Sequence, residues 1–295
     1  MLRGRLLRLS RFVLAVVGDL VEDVVVWPDG PLERGTDTPA RVFRARGGSA
    51  ANVAVAAAPY ASTRFVGCVG ADPLGDRLVQ ELTAAGVDVR AQRRGRTGTV
   101  VVLVDVDGER TFLPDRAAAA DLDDVDRDDL RDVVVLHVPA YGLHGGRTAS
   151  SVRELLLTAG RVEVSLDGSS SAVLRAIGVE DYLALVQRVR PAVLFANADE
   201  ARELGLGRLR GVTVVLKDGA RPTTVLLPDG GALTVPVEPV WGVRDSTGAG
   251  DAFAGGWLSA RMEGLDDAAR VVRAHALARQ VLTSPGAGTA SEAEE

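Results

Sequence analysis

Aliphatic runs of four to six residues alternate with amphipathic segments along most of the chain. The runs lie at 12–17, 64–69, 133–138, 162–166, 193–196 and 212–216. Continuous Val- and Leu-rich runs are typical of strands that are buried on both faces of a parallel sheet, and the segments between them have helical periodicity. This alternation predicts an α/β fold with a mainly parallel central sheet.

The clearest predicted helix begins after Asp72 and ends before Gly86. Asp72 is a favourable N-cap residue, and Pro73 occupies the first helical position, where its missing N–H costs nothing. The apolar residues of the segment fall on one helical face: Leu74, Leu78, Val79 and Leu82.

Two stretches break the alternation, because their β-like segments arrive in pairs without a helix between them. The first pair is 24–27 with 41–45, and the second is 97–105 with 110–113. Asp107-Gly108, between the members of the second pair, is a strong hairpin signal. We predict a small antiparallel sheet that projects from the core. An edge extension of the main sheet is the alternative.

Composition and charge narrow the function classes. The chain has 295 residues, 46% of them hydrophobic, which allows one large α/β domain or two smaller ones. A net charge of −6 argues against a general nucleic-acid binder. Lys217 is the only lysine among 34 basic residues, so the many arginines reflect a compositional bias. Cys68 is the only cysteine, which excludes a disulfide framework.

Basic residues precede the first apolar run, as they do in signal peptides. The run is short, however, and leads into Gly18-Asp19 without a small-residue cleavage site. We interpret it as the first core strand behind a basic extension. No run approaches the ~20 apolar residues of a membrane span. The sequence therefore predicts a soluble, cytoplasmic protein.

A glycine-rich turn at 248–250 leads directly into an apolar helix that opens with Asp251. The first amides of a helix have no intrahelical partner and attract anions, and glycine lets a phosphate approach the backbone. An Asp with its ordinary pKa is ionised at neutral pH and can accept a proton. An anion site beside a base indicates phosphoryl transfer to a hydroxyl. A well-capped helix is the alternative.

A second glycine pair, Gly47 and Gly48, permits a tight turn before a predicted helix at 49–58. This helix is built almost entirely of Ala and Val, so it can pack closely on a sheet. Asn52 is its one conspicuous polar side chain, and an amide can hold two substrate hydroxyls. Alternatively, Ser49 or Asn52 caps the helix.

The two segments together resemble the signatures of the PfkB family of carbohydrate kinases, a ribokinase-like group. The family's Gly-Gly-x-x-x-Asn signature matches 47–52, and its Asp-Thr-x-Gly-Ala-Gly-Asp signature matches 245–251. The resemblance spans nearly the whole chain. It implies one three-layer α/β/α domain over 1–295, with a lid from strands at about 20–46 and 96–115. It also implies ATP and Mg²⁺ as cofactors and a homodimer formed through the lid.

The resemblance gives roles to residues on the acceptor side. By this resemblance, Asp251 would deprotonate the acceptor hydroxyl, and the amides of 248–250 would form the anion hole: Gly248, Ala249 and Gly250. The implied substrate contacts are Asp23, Gly47, Gly48, Asn52 and Arg116. Asp19 competes with Asp23 for this role. Arg116 would favour an acidic sugar if it reaches the pocket, and is otherwise a surface residue.

On the nucleotide side, Asn197 and Glu200 match the family's Asn-x-x-Glu motif, which helps to hold magnesium and phosphates through water. The same pair is close to a capping box. The turn at 216–222, with Lys217 and Gly219, is expected to border ATP, although Asp218 and Pro222 stand where relatives often have glycine. His275 and the segment 284–288 resemble the lining of the adenine pocket.

Some relatives bind potassium between the Asp-Thr loop and the C-terminal turn. The matching positions here are Asp245, Thr247, Val281, Ser284 and Gly286. Activation by a monovalent cation is therefore a hypothesis.

The sequence thus predicts an ATP- and magnesium-dependent kinase of a small carbohydrate, of the ribose, fructose or 2-keto-3-deoxygluconate type. An adenosine-like nucleoside kinase is the alternative, for which Trp27, Phe43 and Phe112 are the large aromatic residues of the lid. A second alternative is a sugar-binding protein without catalytic activity on the same scaffold. The intact Asp251 argues against it.

Overall fold

The computed structural model describes residues 12–283, apart from 106–108, 207–208, 242 and 244–245. Its central layer is a nine-stranded sheet in the order β13-β12-β11-β10-β9-β8-β1-β4-β5. The strands of this sheet are β1 (Val13–Val17), β4 (Thr63–Val69), β5 (Asp88–Arg93), β8 (Val133–Pro139), β9 (Glu163–Asp167), β10 (Val193–Asn197), β11 (Thr213–Lys217), β12 (Thr223–Leu226) and β13 (Ala232–Val235). All pair in parallel except β12 and β13, which add an antiparallel edge.

Helices cover both faces of this sheet. They are α1 (Ser49–Ala57), α2 (Pro73–Ala84), α3 (Gly146–Thr158), α4 (Ser171–Ile177), α5 (Val179–Val189), α6 (Ala198–Leu204), α7 (Ala249–Met262) and α8 (Asp267–Thr283). Short 3₁₀ turns lie at Ala117–Ala120, Arg127–Leu130 and Ala140–Leu143. The predicted α/β class with a mainly parallel sheet is confirmed.

Two apolar cores lie on opposite sides of the sheet, as the alternation of side chains along each strand requires. In β1, Ala15 and Val17 join a core with α3, α4, α5 and α6, whereas Leu14 and Val16 join a core with α1, α2, α7 and α8. All four side chains are fully buried. Both faces of the strand are therefore covered, which explains its continuous aliphatic sequence.

Small residues bring α1 and α7 into close contact. Four of the five alanines of α1 are buried, and a β-carbon on Gly255 of α7 would lie 2.8 Å from the carbonyl oxygen of Val53. Neither Ser49 nor Asn52 caps α1, because Gly48 occupies the N-cap position and no side chain bonds to it. The close packing places the N-terminus of α1 beside that of α7.

The predicted helix after Asp72 is present as α2. The Asp72 side chain accepts a hydrogen bond of 2.8 Å from the amide of Gly75, and Pro73 is the first helical residue. Asp72 also accepts bonds from the amide and hydroxyl of Thr97. One carboxylate thus caps α2 and ties it to the segment that enters the small sheet.

A separate four-stranded sheet has the order β3-β2-β6-β7. Its strands are β2 (Val21–Pro28), β3 (Ala40–Gly47), β6 (Thr99–Val104) and β7 (Arg110–Asp115). The predicted small sheet is present and separate from the central sheet, but it is not antiparallel throughout, because β2 and β6 pair in parallel. The connections within the pairs β2–β3 and β6–β7 make each pair antiparallel, but they do not set the direction of β2 relative to β6. The predicted turn residues Asp107 and Gly108 lie outside the described residues.

Among the described residues, no helix is both long enough and apolar enough to cross a membrane.

Candidate active site

The polar side chains of the candidate site collect at one edge of the central sheet. Asp167, Asn197 and Lys217 are the last residues of the neighbouring strands β9, β10 and β11. Asn197 pairs directly with Lys217 in the register of β10 and β11. Ligands of open α/β sheets bind outside the carboxyl ends of the strands. The N-terminus of α7 completes the site from the next layer.

Asp251 lies in the first turn of α7 and contacts the glycine motif of α1 directly. The Ser49 hydroxyl donates to its Oδ1 at 2.6 Å, and the Asn52 amide donates to its Oδ2 at 3.0 Å. These residues are about 200 positions apart in sequence. The structure therefore brings the two sequence motifs into one site.

The expectation of an ordinary pKa for Asp251 is wrong. Burial raises the pKa of this carboxyl to about 6, and the negative charge of Asp167 adds to the rise. The hydrogen bonds from Ser49 and Asn52 and the positive charge of Lys217 oppose the rise, because each favours the ionised form. Asp251 is still mostly ionised at neutral pH, and its pKa is closer to that of an efficient general base.

The turn before α7 adopts the geometry that a helix start requires. Gly248 is the N-cap residue with φ at +77°, a conformation that favours glycine. The first intrahelical bond is made by the Ala252 amide to the Gly248 carbonyl at 2.8 Å. The Ala249 amide donates to the Ser246 carbonyl at 3.2 Å, so this member of the predicted anion hole closes the turn. Gly250 and Asp251, by position, present amides without intrahelical acceptors.

Asn52 is held on two sides. Its Nδ2 donates to Asp251, and its Oδ1 accepts from the Arg46 guanidinium at 2.6 Å. Arg46 is buried, and it orients the amide so that Nδ2 faces the carboxylate. Arg46 was not among the predicted site residues, although it directly precedes Gly47. Because the chain contains so many arginines, nothing in the sequence distinguishes this one from the others.

The glycine pair allows close approach on the acceptor side. A side chain on Gly47 would overlap the carboxylate of Asp23, and one on Gly48 would overlap the backbone of Asp19. Gly48 also has φ at +98°. Asp23, on β2, therefore lies directly against the turn that leads into α1.

Asp19 and Arg116 form a buried ion pair. Arg116 Nε donates to Oδ2 of Asp19 at 2.9 Å, and Nη2 donates to Oδ1 at 2.6 Å. The remaining nitrogen, Nη1, donates to the carbonyl of His144. Arg116 is not a surface residue, since its side chain is only 15% exposed. Both oxygens of Asp19 are therefore engaged by Arg116.

Asn197 and Glu200 form a complete capping box at the start of α6. The Asn197 Oδ1 accepts from the amides of Asp199 and Glu200, each at 2.9 Å, and Glu200 accepts from the amide of Asn197 at 2.9 Å. Burial and the charge of Asp167 raise the pKa of Glu200 to about 7, against the opposing charge of Lys217. A cation beside this carboxylate would favour its ionised form.

Lys217 pairs with Asp167, a residue that the sequence analysis missed. The Lys217 Nζ donates to Oδ2 of Asp167 at 2.8 Å, and the Ser169 amide donates to Oδ1 at 2.8 Å. Asp167 directly follows the aliphatic run 162–166, so its place at a strand end was a usable signal. Only the fold shows that it faces Lys217.

The other predicted nucleotide residues lie near the same edge. Gly219 follows β11 with φ at +58°, and His275 on α8 has its Nε2 2.8 Å from the Thr223 hydroxyl. Burial lowers the pKa of His275. Of the predicted cation ligands, Thr247 and Val281 are described, whereas Asp245, Ser284 and Gly286 lie outside the described residues.

The chain is similar to known carbohydrate kinases over most of its length. The model of the pfkB family of carbohydrate kinases matches residues 13–294. The chain is 32% identical over 269 residues to a fructokinase of Klebsiella pneumoniae, covering 83% of this chain and 82% of the relative. It is 32% identical to an ATP-dependent ribose-1-phosphate kinase of Halopiger xanaduensis, covering 72% of each.

The chain belongs to the pfkB family of carbohydrate kinases. It is a phosphotransferase with an alcohol group as acceptor. Among solved structures, an adenosine kinase from Sinorhizobium meliloti superposes with a TM-score of 0.84 at 21% identity, covering 95% of this chain and 96% of the other. That likeness concerns the fold, which is ribokinase-like. In this pfkB kinase, Ser49, Arg46 and Asp167 join the candidate site through contacts that the family signatures did not indicate.

Proposed function

We propose that this chain transfers the γ-phosphoryl group of ATP to a hydroxyl group of a small carbohydrate, with Asp251 as the general base. The observation that carries the proposal is the contact of Asp251 with Ser49 and Asn52 at the first turn of α7. One carboxylate thus touches the acceptor motif and lies beside helix-start amides. The use of ATP is supported by the name of the Halopiger relative.

The chemistry follows from this arrangement. The acceptor hydroxyl gives its proton to Asp251 while its oxygen bonds to the γ-phosphorus, and the bond from that phosphorus to the β,γ-bridging oxygen breaks to release ADP. Negative charge on the phosphoryl oxygens is stabilised by the unpaired amides at the start of α7. Closure of the small sheet as a lid excludes water, so that hydrolysis does not compete.

The acceptor contacts that we propose are Asp23, Asn52 and the backbone of Gly47 and Gly48. A carboxylate can accept hydrogen bonds from two sugar hydroxyls at once. Because the charge of Arg116 is already paired with the buried carboxylate of Asp19, the pocket favours a neutral carbohydrate over a sugar acid. The ribose and fructose types fit this better than 2-keto-3-deoxygluconate.

The residues at the nucleotide edge fit a hydrated magnesium ion. Glu200 is buried, and its pKa is raised to about 7 by burial and by the nearby Asp167, so a divalent cation would relieve an unfavourable negative charge. Among the described residues, no group of three acidic, His or Cys side chains is arranged to hold a metal. Magnesium usually keeps several waters and is bound through one or two carboxylates plus phosphates. Asn197 and Glu200 would hold it in this way, and it would neutralise phosphate charge.

A monovalent cation site is proposed on the family pattern alone, near Thr247 and Val281. Potassium would be bound largely by backbone carbonyls there. The measurement is the steady-state rate in potassium chloride and in a bulky organic cation at equal ionic strength. Equal rates contradict the proposal.

The first test combines a substrate screen with Asp251→Asn. A ligand that binds the folded state raises the melting temperature, so ribose, fructose, 2-keto-3-deoxygluconate and adenosine are screened by thermal shift and then by ADP release. Asp251→Asn is expected to lower kcat by about 10²–10⁴-fold with an unchanged circular dichroism spectrum. Asp128→Asn, in an exposed 3₁₀ turn, is the matched control. Near-normal turnover in Asp251→Asn refutes the assignment of the base.

A nucleoside acceptor is the second candidate, and the lid supplies the observation that favours it. Phe43 and Phe112 are each half exposed, and the strand register puts both on the sheet face that carries Asp23. Aromatic rings on that face can stack on a base. A larger thermal shift with adenosine than with any sugar, followed by phosphorylation of adenosine, would establish this candidate.

The alternative without catalysis is separated by the same screen. A protein that only binds sugar would show a thermal shift with a sugar but no ADP release dependent on that sugar. The contact of Asp251 with the acceptor motif argues against it. The cytoplasmic location expected from the sequence stays a prediction.

A homodimer formed through the lid is proposed from the opposite sheet face. Val42 and Leu113 are 55% and 52% exposed there, and the register puts them on the same face as Val24 and Val26. The expected result is a dimer by light scattering that Val42→Asp converts to a monomer. Val272→Asp, at a 60% exposed position on α8, should leave the mass unchanged. A monomeric wild-type protein contradicts the proposal.

A further inference from the structure

Lys217 is the only lysine in a chain with 34 basic residues, and it is not on the surface. Its side chain is 16% exposed, and that of its partner Asp167 is 6% exposed. A buried ion pair recovers little more than its desolvation cost, so stability alone is a weak reason for it. Lysine differs from arginine in being a compact charge with three donors on a flexible stem. Position 217 therefore requires this compact charge on a flexible stem, which the arginine positions of the chain do not.

The ammonium of Lys217 faces the helix start that carries the proposed base. Its Nζ lies 3.4 Å from the point where a β-carbon on Gly250 would stand. Gly250 is the second residue of α7 and directly precedes Asp251. The Lys217 charge and the first-turn amides thus border the same space.

The charges around Lys217 are unbalanced. Burial alone lowers the pKa of Lys217, but nearby carboxylates raise it overall, so the side chain stays protonated. Those carboxylates are Asp167, Glu200 and Asp251. One ammonium cannot neutralise three acidic groups, and Asp167 accepts only one of its three N–H donors. The ammonium therefore keeps its charge and has N–H donors that Asp167 does not use.

Asp167 is anchored independently of the lysine. Its Oδ1 accepts from the Ser169 amide at 2.8 Å, while its Oδ2 accepts from Lys217. The carboxylate can therefore keep its position while the flexible lysine stem moves. The Phe195 ring, with its centroid 5.9 Å from Nζ, forms one wall of this position.

We propose that Lys217 is a catalytic residue that binds the transferring phosphoryl group, and that Asp167 is the positioning residue that holds the ammonium ready. This inference rests on the proposed kinase function. When ATP binds, the Lys217 ammonium turns at least one N–H from Asp167 to a γ-phosphoryl oxygen. The acceptor oxygen bonds to phosphorus, the bond to the bridging oxygen breaks, and the acceptor proton goes to Asp251. Lys217 keeps its own proton and neutralises charge throughout.

The main experiment compares Lys217→Met and Lys217→Arg with Arg131→Met, an exposed cation just before β8 and away from the carboxyl ends of the strands. Turnover, acceptor KM, melting temperature, and the affinities for ATP and ADP are measured by coupled assay and calorimetry. Lys217→Met is expected to lower kcat by about 10²-fold and to reduce the preference for ATP over ADP by about tenfold, with acceptor KM within about threefold. Lys217→Arg should recover part of kcat, and Arg131→Met should match wild type.

Asp167→Asn supplies a readout that a structural ion pair would not give. The Asp167 carboxylate competes with phosphate for the ammonium, so its neutralisation should tighten ATP binding severalfold while kcat falls. Weaker ATP binding in this variant overturns the proposal. If Lys217→Met does not fold, Asp167→Asn still tests the proposed role of Lys217.

Two results distinguish a failure of the Lys217 role from a failure of the proposed kinase function. If wild type phosphorylates an acceptor and Lys217→Met keeps kcat within threefold, only the Lys217 assignment fails, and the ion pair is structural. If wild type releases no ADP with any acceptor in the screen, the proposed function fails and this inference fails with it.

Discussion

Ser49 gives the most direct control over the ionisation of Asp251. Its hydroxyl donates to Oδ1 of Asp251 at 2.6 Å, and that bond favours the ionised carboxylate. Ser49→Ala removes the donor and places a good helix former at the start of α1. A hydrogen bond to a charged group contributes about 1.5–3 kcal/mol. Because Asp251 is half-buried, we take the lower end, and ~1.4 kcal/mol corresponds to about one pH unit.

The sign of the effect follows from the role of a base. Asp251 accepts a proton only when it is ionised, so kcat/KM falls as pH falls through its pKa of about 6. Without the Ser49 hydroxyl that pKa rises, and the acid limb of the profile should move up by about one pH unit. At pH 6 the variant should retain roughly a fifth of wild-type activity, and at about pH 8 it should approach wild type.

The assay is kcat/KM for the acceptor, measured by ADP release from about pH 5 to about pH 9, because this parameter reports ionisations of the free enzyme. Glu200 also has a raised pKa of about 7, so the comparison is repeated in a Glu200→Gln background. Thr158→Ala is the control, since its hydroxyl bonds to carbonyls of its own helix. An unmoved acid limb in Ser49→Ala, or a loss of activity equal at every pH, would refute the reasoning.

Two further substitutions test the packing that assembles the site. Gly47→Ala places a β-carbon on the carboxylate of Asp23, so acceptor KM should rise about tenfold or more. The melting temperature should stay close to that of wild type, and steady-state kinetics and thermal unfolding measure the two effects. An unchanged KM would remove Asp23 from the site. Gly255→Ala puts a methyl group 2.8 Å from the carbonyl oxygen of Val53. The free energy of unfolding, measured in urea, should fall by about 1–3 kcal/mol, and kcat should fall with it. Full activity at full stability would contradict the close contact of α1 and α7.

Local patterns predicted much of this fold because the relevant physics is local. Buried parallel strands need aliphatic residues on both faces, and β1, β4 and β8 to β11 all appear where such runs lie. The start of α2 followed from Asp72 and Pro73 for the same reason. The direction of β2 against β6 was not predictable, because a long stretch of chain separates these strands and no turn links them.

The residues of the candidate site also fall into two groups, those predicted from neighbouring positions in sequence and those identified only by the packing. The sequence alone determined the two glycine motifs, the base candidate Asp251 and the family to which they point, because glycine turns and helix starts are encoded in adjacent residues. Only the tertiary structure decided that Arg46 orients Asn52, that Asp167 faces Lys217, and that burial raises the pKa of the base. Those properties depend on distance, direction and exclusion of water between distant segments, and these arise when the sheet and helices pack together.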